Sequence, residues 1–314
     1  MADIVAAFGV SHAAFMVRAW DQASPAQRAA VGGGYKAMSA RLRAARPDVV
    51  LLVASDHFRS FFLDHMPAFC LGVGTRSVGW GDGSLPRYDL AVHDDLARGL
   101  LEGLIARGHD VAFARNLPLD HAFMTPVHLL FPQADLPIVP LFQNCVAPPL
   151  PTVGRCLQLG GALRGVLADI EPGLRVALIG TGGLSHEVPL HDWRTLPDDE
   201  TGRAWLTFMS AGRTGADPET GKRIAAEVDR WGREGLGRID EDFDRELLGW
   251  MQAGTYTRLA DLDAATIARR GGNGGQEIRN WATVMGAVPD TRGEVLFYEA
   301  VPEWLTGVAG VAFG

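Results

Sequence analysis

The sequence predicts an α/β fold: a central, mostly parallel sheet flanked by helices, with a helical C-terminal part. Three observations carry this. The stretches "DIVAAFGV" (3–10), "DVVLLVAS" (48–55), "LPIVPLF" (136–142) and "RVALIGTG" (175–182) are near-continuous apolar runs. Such runs mark strands covered on both faces, where half-exposed strands would alternate. Helical patterns separate the runs, as parallel strands require of their connections, and from about residue 196 the texture turns helical.

Taken in order, the first run leads into "SPAQRAAVGGGYKAMSARLRAA", a helix with a Ser-Pro start at Ser24. The second is followed by "DDLARGLLEGLIARG", a helix ending at Gly108, and the third by "TVGRCLQLGGALRGVLADI". After the fourth come "DDETGRAWLTFMSAG", "GKRIAAEVDRWGREG", "DEDFDRELLGWMQAG" and "GQEIRNWATVMGAV", all helical, and then a short strand, "EVLFYEAV". No repeat, low-complexity tract or long linker interrupts the chain, so one domain over residues 1–314 is the simplest expectation.

At 314 residues and 47% hydrophobic, the chain can bury one large core. A net charge of -8, with Arg269 and Arg270 as the densest basic spot, argues against nucleic-acid or anionic-membrane partners. Cys70, Cys145 and Cys156 show no Cys-x-x-Cys spacing and suit free thiols in a reducing compartment. The opening "MADIVAAFGVSHAAF" lacks a basic n-region and is broken by His12, so it reads as a strand and not a signal peptide. No run approaches the ~18 to 20 apolar residues that span a bilayer. A cytoplasmic protein is expected. The apolar ending "WLTGVAGVAFG" would be easier to bury at a subunit interface or against the main domain, and a homo-oligomer is expected.

Function shows in the histidines, of which there are nine. His12 follows the first strand in "GVSHAAF", His57 the second in "VASDHFRSFF", and His186 the fourth in "GTGGLSHE". His121, in "LPLDHAFMTP", stands just before a helix. Ligands of open α/β sheets bind beyond the carboxyl ends of the strands, so His12, His57 and His186 can converge there. Any one of them could be a hydrogen-bonded structural histidine; three at equivalent strand ends are harder to explain that way. His65, His93, His109, His128 and His191 lack this context and read as surface or packing residues.

Two histidines and one carboxylate leave half an octahedral shell open, which a metal needs to hold a chelating substrate and O2 together. Two places compete for the carboxylate. "DEDFDREL" offers Glu241, Asp242, Asp244 and Glu246, whose bland explanation is favourable interaction with a helix dipole. "RRGGNGGQEIRNWA" offers Glu277 alone, after glycines that let backbone approach a ligand site closely. A lone acid beside glycines is the harder of the two to explain as a solvated face. A zinc hydrolase could use the same donors. An interaction module could keep such a pocket, though it has no need of a base beside an open metal site.

The stretches "GVSH", "SDHFRSFFLDHMPAFCLGVG", "LDHAFMTP", "GTGGLSHE", "QEIRNW" and "YEAVPEWLTGVAGVAF" resemble the class III extradiol ring-cleaving dioxygenases, the protocatechuate 4,5-dioxygenase β-subunit superfamily. The nearest branch in appearance is that of the 2,3-dihydroxyphenylpropionate (3-carboxyethylcatechol) dioxygenases. The resemblance implies Fe(II) held by His12, His57 and Glu277, with His186 as the base that takes a catechol proton. It places His121 on the other side of the substrate as the later acid, a division that two histidines can exchange. It implies a catecholic substrate and O2 as the small-molecule partners, in aromatic degradation. Relatives tend to carry Asn-Pro-x-Trp-Asp where this chain has Asp240, Glu241 and Phe243 before a retained Asp244. That segment reads as packing and pocket wall, and the departure leaves open a protocatechuate-like, gallate-like, biaryl or aminophenol substrate. Arg59 is a candidate anchor for a substrate carboxylate, or equally a surface arginine.

Overall fold

The computed structural model describes residues 2–170, 173–190, 192–211, 218–289 and 291–314. The four apolar runs form β1 (Asp3–Val10), β2 (Val49–Ala54), β7 (Ile138–Gln143) and β8 (Arg175–Thr181). The expected short strand "EVLFYEAV" is β9 (Gly293–Val301), and the structure adds β3 (Phe69–Val73), β6 (Ala112–Arg115) and β10 (Thr306–Phe313), with β4 (Arg76–Val78) and β5 (Asp89–Ala91) as a separate pair. The main sheet has eight strands in the order β6-β3-β7-β2-β8-β1-β10-β9. Its central pairings, β1–β8, β2–β8 and β2–β7, are parallel, as is β3–β6. Antiparallel pairings join β3 to β7, β1 to β10 and β10 to β9.

Of the two placements expected for the closing apolar segment, the structure shows burial within its own domain. The segment is β10, an interior strand between β1 and β9, buried at all eight residues. Its run of small and β-branched residues has the same cause as the other buried strands: both of its faces are covered. β3 and β6 escaped the sequence reading because "FCLGV" is short and "AFAR" is a largely exposed edge strand.

The helices are α1 (Phe15–Arg18), α2 (Pro25–Ala44), α3 (Asp94–Ala106), α4 (His121–Leu130), α5 (Val153–Asp169), α6 (Glu200–Ser210), α7 (Pro218–Glu234), α8 (Glu241–Ala253), α9 (Ala264–Gly271) and α10 (Ile278–Ala287). Ser24 starts α2 with a capping box: its hydroxyl accepts from the Gln27 amide at 3.3 Å, and the Gln27 side chain accepts from the Ser24 amide at 3.0 Å. α2 and α4 pack together on the sheet, as do α3, α5 and α10. α5 and α10 touch backbone to backbone, since a Cβ on Gly160 would fall 2.0 Å from the Thr283 carbonyl oxygen. These helices sandwich the central strands, and Leu51, Leu52, Val176 and Ile179 are wholly shielded from water.

For function, the consequence is register. Gly180 of β8 pairs with Gly9 of β1 on one side and with Val53 of β2 on the other. Three adjacent parallel strands therefore end side by side, and each delivers one histidine to the same edge.

Candidate metal centre and active site

The residue before each strand-end histidine pins its loop. The Ser11 hydroxyl accepts from the Ala309 amide at 2.9 Å. Asp56 accepts from the amides of Arg59, Ser60 and Phe61 at 2.9 to 3.1 Å. The Ser185 hydroxyl accepts from the Asp240 amide and donates to Asp244, both at 2.8 Å.

So held, His12 and His57 both aim Nε2 at Glu277. Glu277 Oε1 is 3.1 Å from His12 Nε2 and 3.5 Å from His57 Nε2, while its Oε2 is 3.7 Å from His186 Nε2. The groups behind fix the tautomers. The Thr181 hydroxyl spends its proton on the Ala122 carbonyl at 3.0 Å, so it accepts from His12 Nδ1, also at 3.0 Å. Asp120 accepts from both the amide and Nδ1 of His57, at 2.9 and 2.8 Å. Each histidine thus carries a proton on Nδ1 and turns Nε2 toward Glu277, and, against burial, the carboxylates of Asp120 and Glu277 together raise the His57 pKa well above the usual histidine value. This backing by hydroxyl or carboxylate is characteristic of metal-ligating imidazoles.

Glu277 is 1% exposed and is oriented by the Ser55 hydroxyl and by the Gly183 amide at 3.1 Å. Burial alone would raise its pKa, but charge and hydrogen bonding from His12 and His57 outweigh that and hold it well below the usual carboxylate range. An ionised carboxylate and two imidazole Nε2 atoms around one point must share protons or a cation, and a metal ion that displaces the protons finds three ligand atoms there. Such a set fits a divalent transition metal.

The other acids lie elsewhere. Glu241 and Asp242 are exposed in the first turn of α8, and Glu246 pairs with Arg270 at 2.5 Å. Asp244 is buried but faces away from the pocket: it accepts from the Ser185 amide and hydroxyl and from the Tyr298 hydroxyl at 2.7 to 2.9 Å. Its surroundings are the back of the His186 loop, so the α8 segment supports the site without forming the pocket wall. A second set of possible donors, Asp82, Asp120 and His121, has its ligand atoms within 4.8 Å of one another. Hydrogen bonds close it from within, His121 Nδ1 to Asp82 at 2.7 Å and His57 to Asp120.

His121 begins α4 and stacks on His57 with 4.3 Å between ring centroids. His186 lies between glycines: a Cβ on Gly274 would sit 1.9 Å from its Nε2, and one on Gly183 2.4 Å from its Nδ1. Only glycine on both sides leaves that ring room. His186 Nδ1 reaches the Leu184 carbonyl at 3.3 Å, and burial lowers its pKa below the usual histidine value.

All five residues line one cavity of about 280 Å³. Its remaining walls are largely apolar and come from α1, the loop after β8, α6 and α7. Arg59 lines the rim half-exposed, with Nε 3.7 Å from Asp82. The other described histidines stand outside. His65 is exposed, His93 caps α3, and His128 bonds the Tyr88 hydroxyl at 2.7 Å. His109 is buried away from the cavity, and His191 lies outside the described residues.

Sequence reasoning missed Asp82, Asp120, Ser55 and Thr181. Asp120 was legible as the residue before His121 in "LDHAF". The other three carry no local signal, because their roles depend on strands and loops far apart in sequence. The three cysteines are free and buried, and among the described residues no helix is long and apolar enough to cross a membrane.

A family model described as the catalytic LigB subunit of aromatic ring-opening dioxygenase matches residues 6–309. A 2,3-dihydroxyphenylpropionate/2,3-dihydroxicinnamic acid 1,2-dioxygenase of Photorhabdus laumondii is 34% identical over 288 residues, 88% of each chain. A protein of the same name from Paraburkholderia xenovorans is 33% identical over 286 residues, 90% of this chain and 89% of its own. The crystal structure of an uncharacterized Escherichia coli K12 protein covers 98% of this chain and 99% of that one with a TM-score of 0.54. At 14% identity it speaks to the fold alone. With a match that runs almost from end to end, this chain belongs to the LigB family of aromatic ring-opening dioxygenases.

Proposed function

We propose that the protein is an Fe(II)-dependent extradiol dioxygenase that opens the ring of a 3-substituted catechol, of the 2,3-dihydroxyphenylpropionate kind, in aromatic degradation. Residues 1–314 act as one catalytic domain, in the cytoplasm and as a homo-oligomer. The observation that carries the reading is the convergence of His12 Nε2, His57 Nε2 and Glu277 Oε1 in the wall of one cavity. A ring-opening dioxygenase needs a redox-active ion, which zinc is not. Bound Fe(II) would supply Lewis acidity toward both catechol oxygens and a path for electrons from the ring to O2.

The protein's own residues then do the rest. His12, His57 and Glu277 occupy one side of the site and leave the cavity side to the substrate. His186, neutral and with Nε2 free, accepts a catechol proton there. His121 has Nδ1 tied to Asp82 at 2.7 Å, which fixes the orientation of the ring. Its other nitrogen is left to hold a proton and return it when the ring opens. Arg59 at the rim meets a carboxylate on the substituent. The apolar walls exclude water, which strengthens each of these interactions.

The test is oxygen uptake by anaerobically Fe(II)-loaded protein with a panel of catechols, the visible spectrum being recorded. Uptake with a new yellow chromophore is expected. Iron-loaded protein that consumes no oxygen with any catechol would overturn the proposal.

A further inference from the structure

The cavity wall remote from Glu277 is aromatic. Phe58, Trp205 and Phe208 line it. Phe208 meets Phe58 at 6.1 Å and 62° and meets Trp205 at 6.0 Å and 90°, both edge-on. Ile224 and Val228 of α7, with Leu190, close the remaining sides. Phe58 and Trp205 belong to a hydrophobic cluster distinct from the main core, which also contains Phe62 and Met209, so the wall has its own packing support. Phe58 adopts φ +55°, an unfavourable conformation for an aromatic residue. Coming straight after His57, that turn sends one side chain to the metal set and the next to the wall.

Charge at this wall is already matched. Arg18 reaches the cavity, but its guanidinium is 2.6 Å from Asp229 and 4.1 Å from the centre of the Phe15 ring. A carboxylate pressed against the wall would lose its hydration and find no unmatched cation in exchange among the described residues that line it. Edge-on aromatic side chains instead favour a further aromatic ring.

We propose that this wall is the subsite for an aryl substituent on the catechol, with Phe58, Trp205 and Phe208 as specificity-determining residues. The inference rests on the ring-cleavage reading above and refines it. The wall selects the body of the substituent, and Arg59 meets a polar end where the substituent carries one.

Steady-state oxygen uptake by Fe(II)-loaded enzyme tests this with 2,3-dihydroxybiphenyl, 3-(2-carboxyethyl)catechol and catechol. kcat/KM for the biphenyl compound exceeds that for catechol by on the order of tenfold or more, mainly through KM. Phe208→Leu and Ile224→Asn each lower the biphenyl-to-catechol ratio by about fivefold or more; two sites are used so that one misfolded variant does not decide the matter. If catechol is cleaved but the biphenyl compound has no advantage over it, or if the ratio survives both substitutions, the subsite is overturned and ring cleavage stands. If iron-loaded protein cleaves none of the three, the ring-cleavage reading falls and the subsite falls with it.

Discussion

His12 Nε2 and Glu277 Oε1 stand 3.1 Å apart, and the hydrogen bonds behind them leave both as acceptors. Two lone pairs at that separation repel unless a cation lies between or beside them. His57 Nε2, 3.5 Å from the same oxygen, sharpens the demand. The loops of three adjacent strands are built so that only a metal, or a set of protons, satisfies the point where they meet.

Removing the anion should remove the metal. Glu277→Gln keeps the shape but loses the charge that matches a divalent ion, so iron content after loading and desalting drops to near zero. Asp242→Ala, on the exposed start of α8, leaves it unchanged. Iron analysis of both variants checks this, and the reverse pattern would contradict it.

Asp120 acts one layer back. Asp120→Asn has one oxygen where Asp120 uses two, so with that oxygen on the α4 cap its NH2 faces the His57 amide and Nδ1, and metal affinity or activity falls by about 10–100-fold. The same residue caps α4 through the Ala122 amide at 3.0 Å, a role asparagine preserves. The melting temperature therefore changes little while chelator competition reports the weaker site.

Gly274→Ala should disable chemistry without emptying the site. Its Cβ would fall 1.9 Å from His186 Nε2, so the ring must leave its place between the two glycines. kcat falls by about 10²-fold or more, the size of a lost general base, while iron content is retained. A variant with wild-type kcat would mean that His186 is not the base.

Asp244 supplies a pH signature. Burial raises its pKa to about 6, against hydrogen bonds from Ser185 and Tyr298 that favour the ionised form. The folded value lies above the unfolded one, so the protonated form is the one folding favours. Its contribution is fully present below about pH 4 and is lost as pH rises through about 6. Relative to Asp244→Asn, the wild-type protein thus loses on the order of 2–3 kcal/mol of stability across that window and nothing further above about pH 7. Urea melts of both proteins between pH 4 and 8 measure it, and a constant gap would contradict it.

How much of this was legible in the sequence follows from what each signal depends on. β1, β2, β7 and β8 could be read because a strand buried on both faces writes its whole length in apolar residues. β10 has the same texture, but nothing local says that a terminal segment inserts beside β1. His12, His57 and His186 could be read together because parallel topology carries strand ends to one edge. Glu277 stood out through its glycines, which turn out to flank His186. Thr181 and Ser55, also at strand ends, and Asp82 in a "GDG" turn had no pattern of their own; their meaning lies in what other strands and loops bring within 3 Å or so. The aromatic wall was hidden for a different reason: Phe58 reads as loop, and Trp205 and Phe208 read as the apolar face of an ordinary helix.

The most direct test is a crystal structure of the Fe(II)-loaded protein with anomalous data collected at the iron edge. One strong peak bonded to His12 Nε2, His57 Nε2 and a Glu277 carboxylate oxygen, with the cavity side open, is the predicted result. A peak among Asp82, Asp120 and His121, or iron-loaded crystals with no peak near Glu277, would contradict the account at its centre.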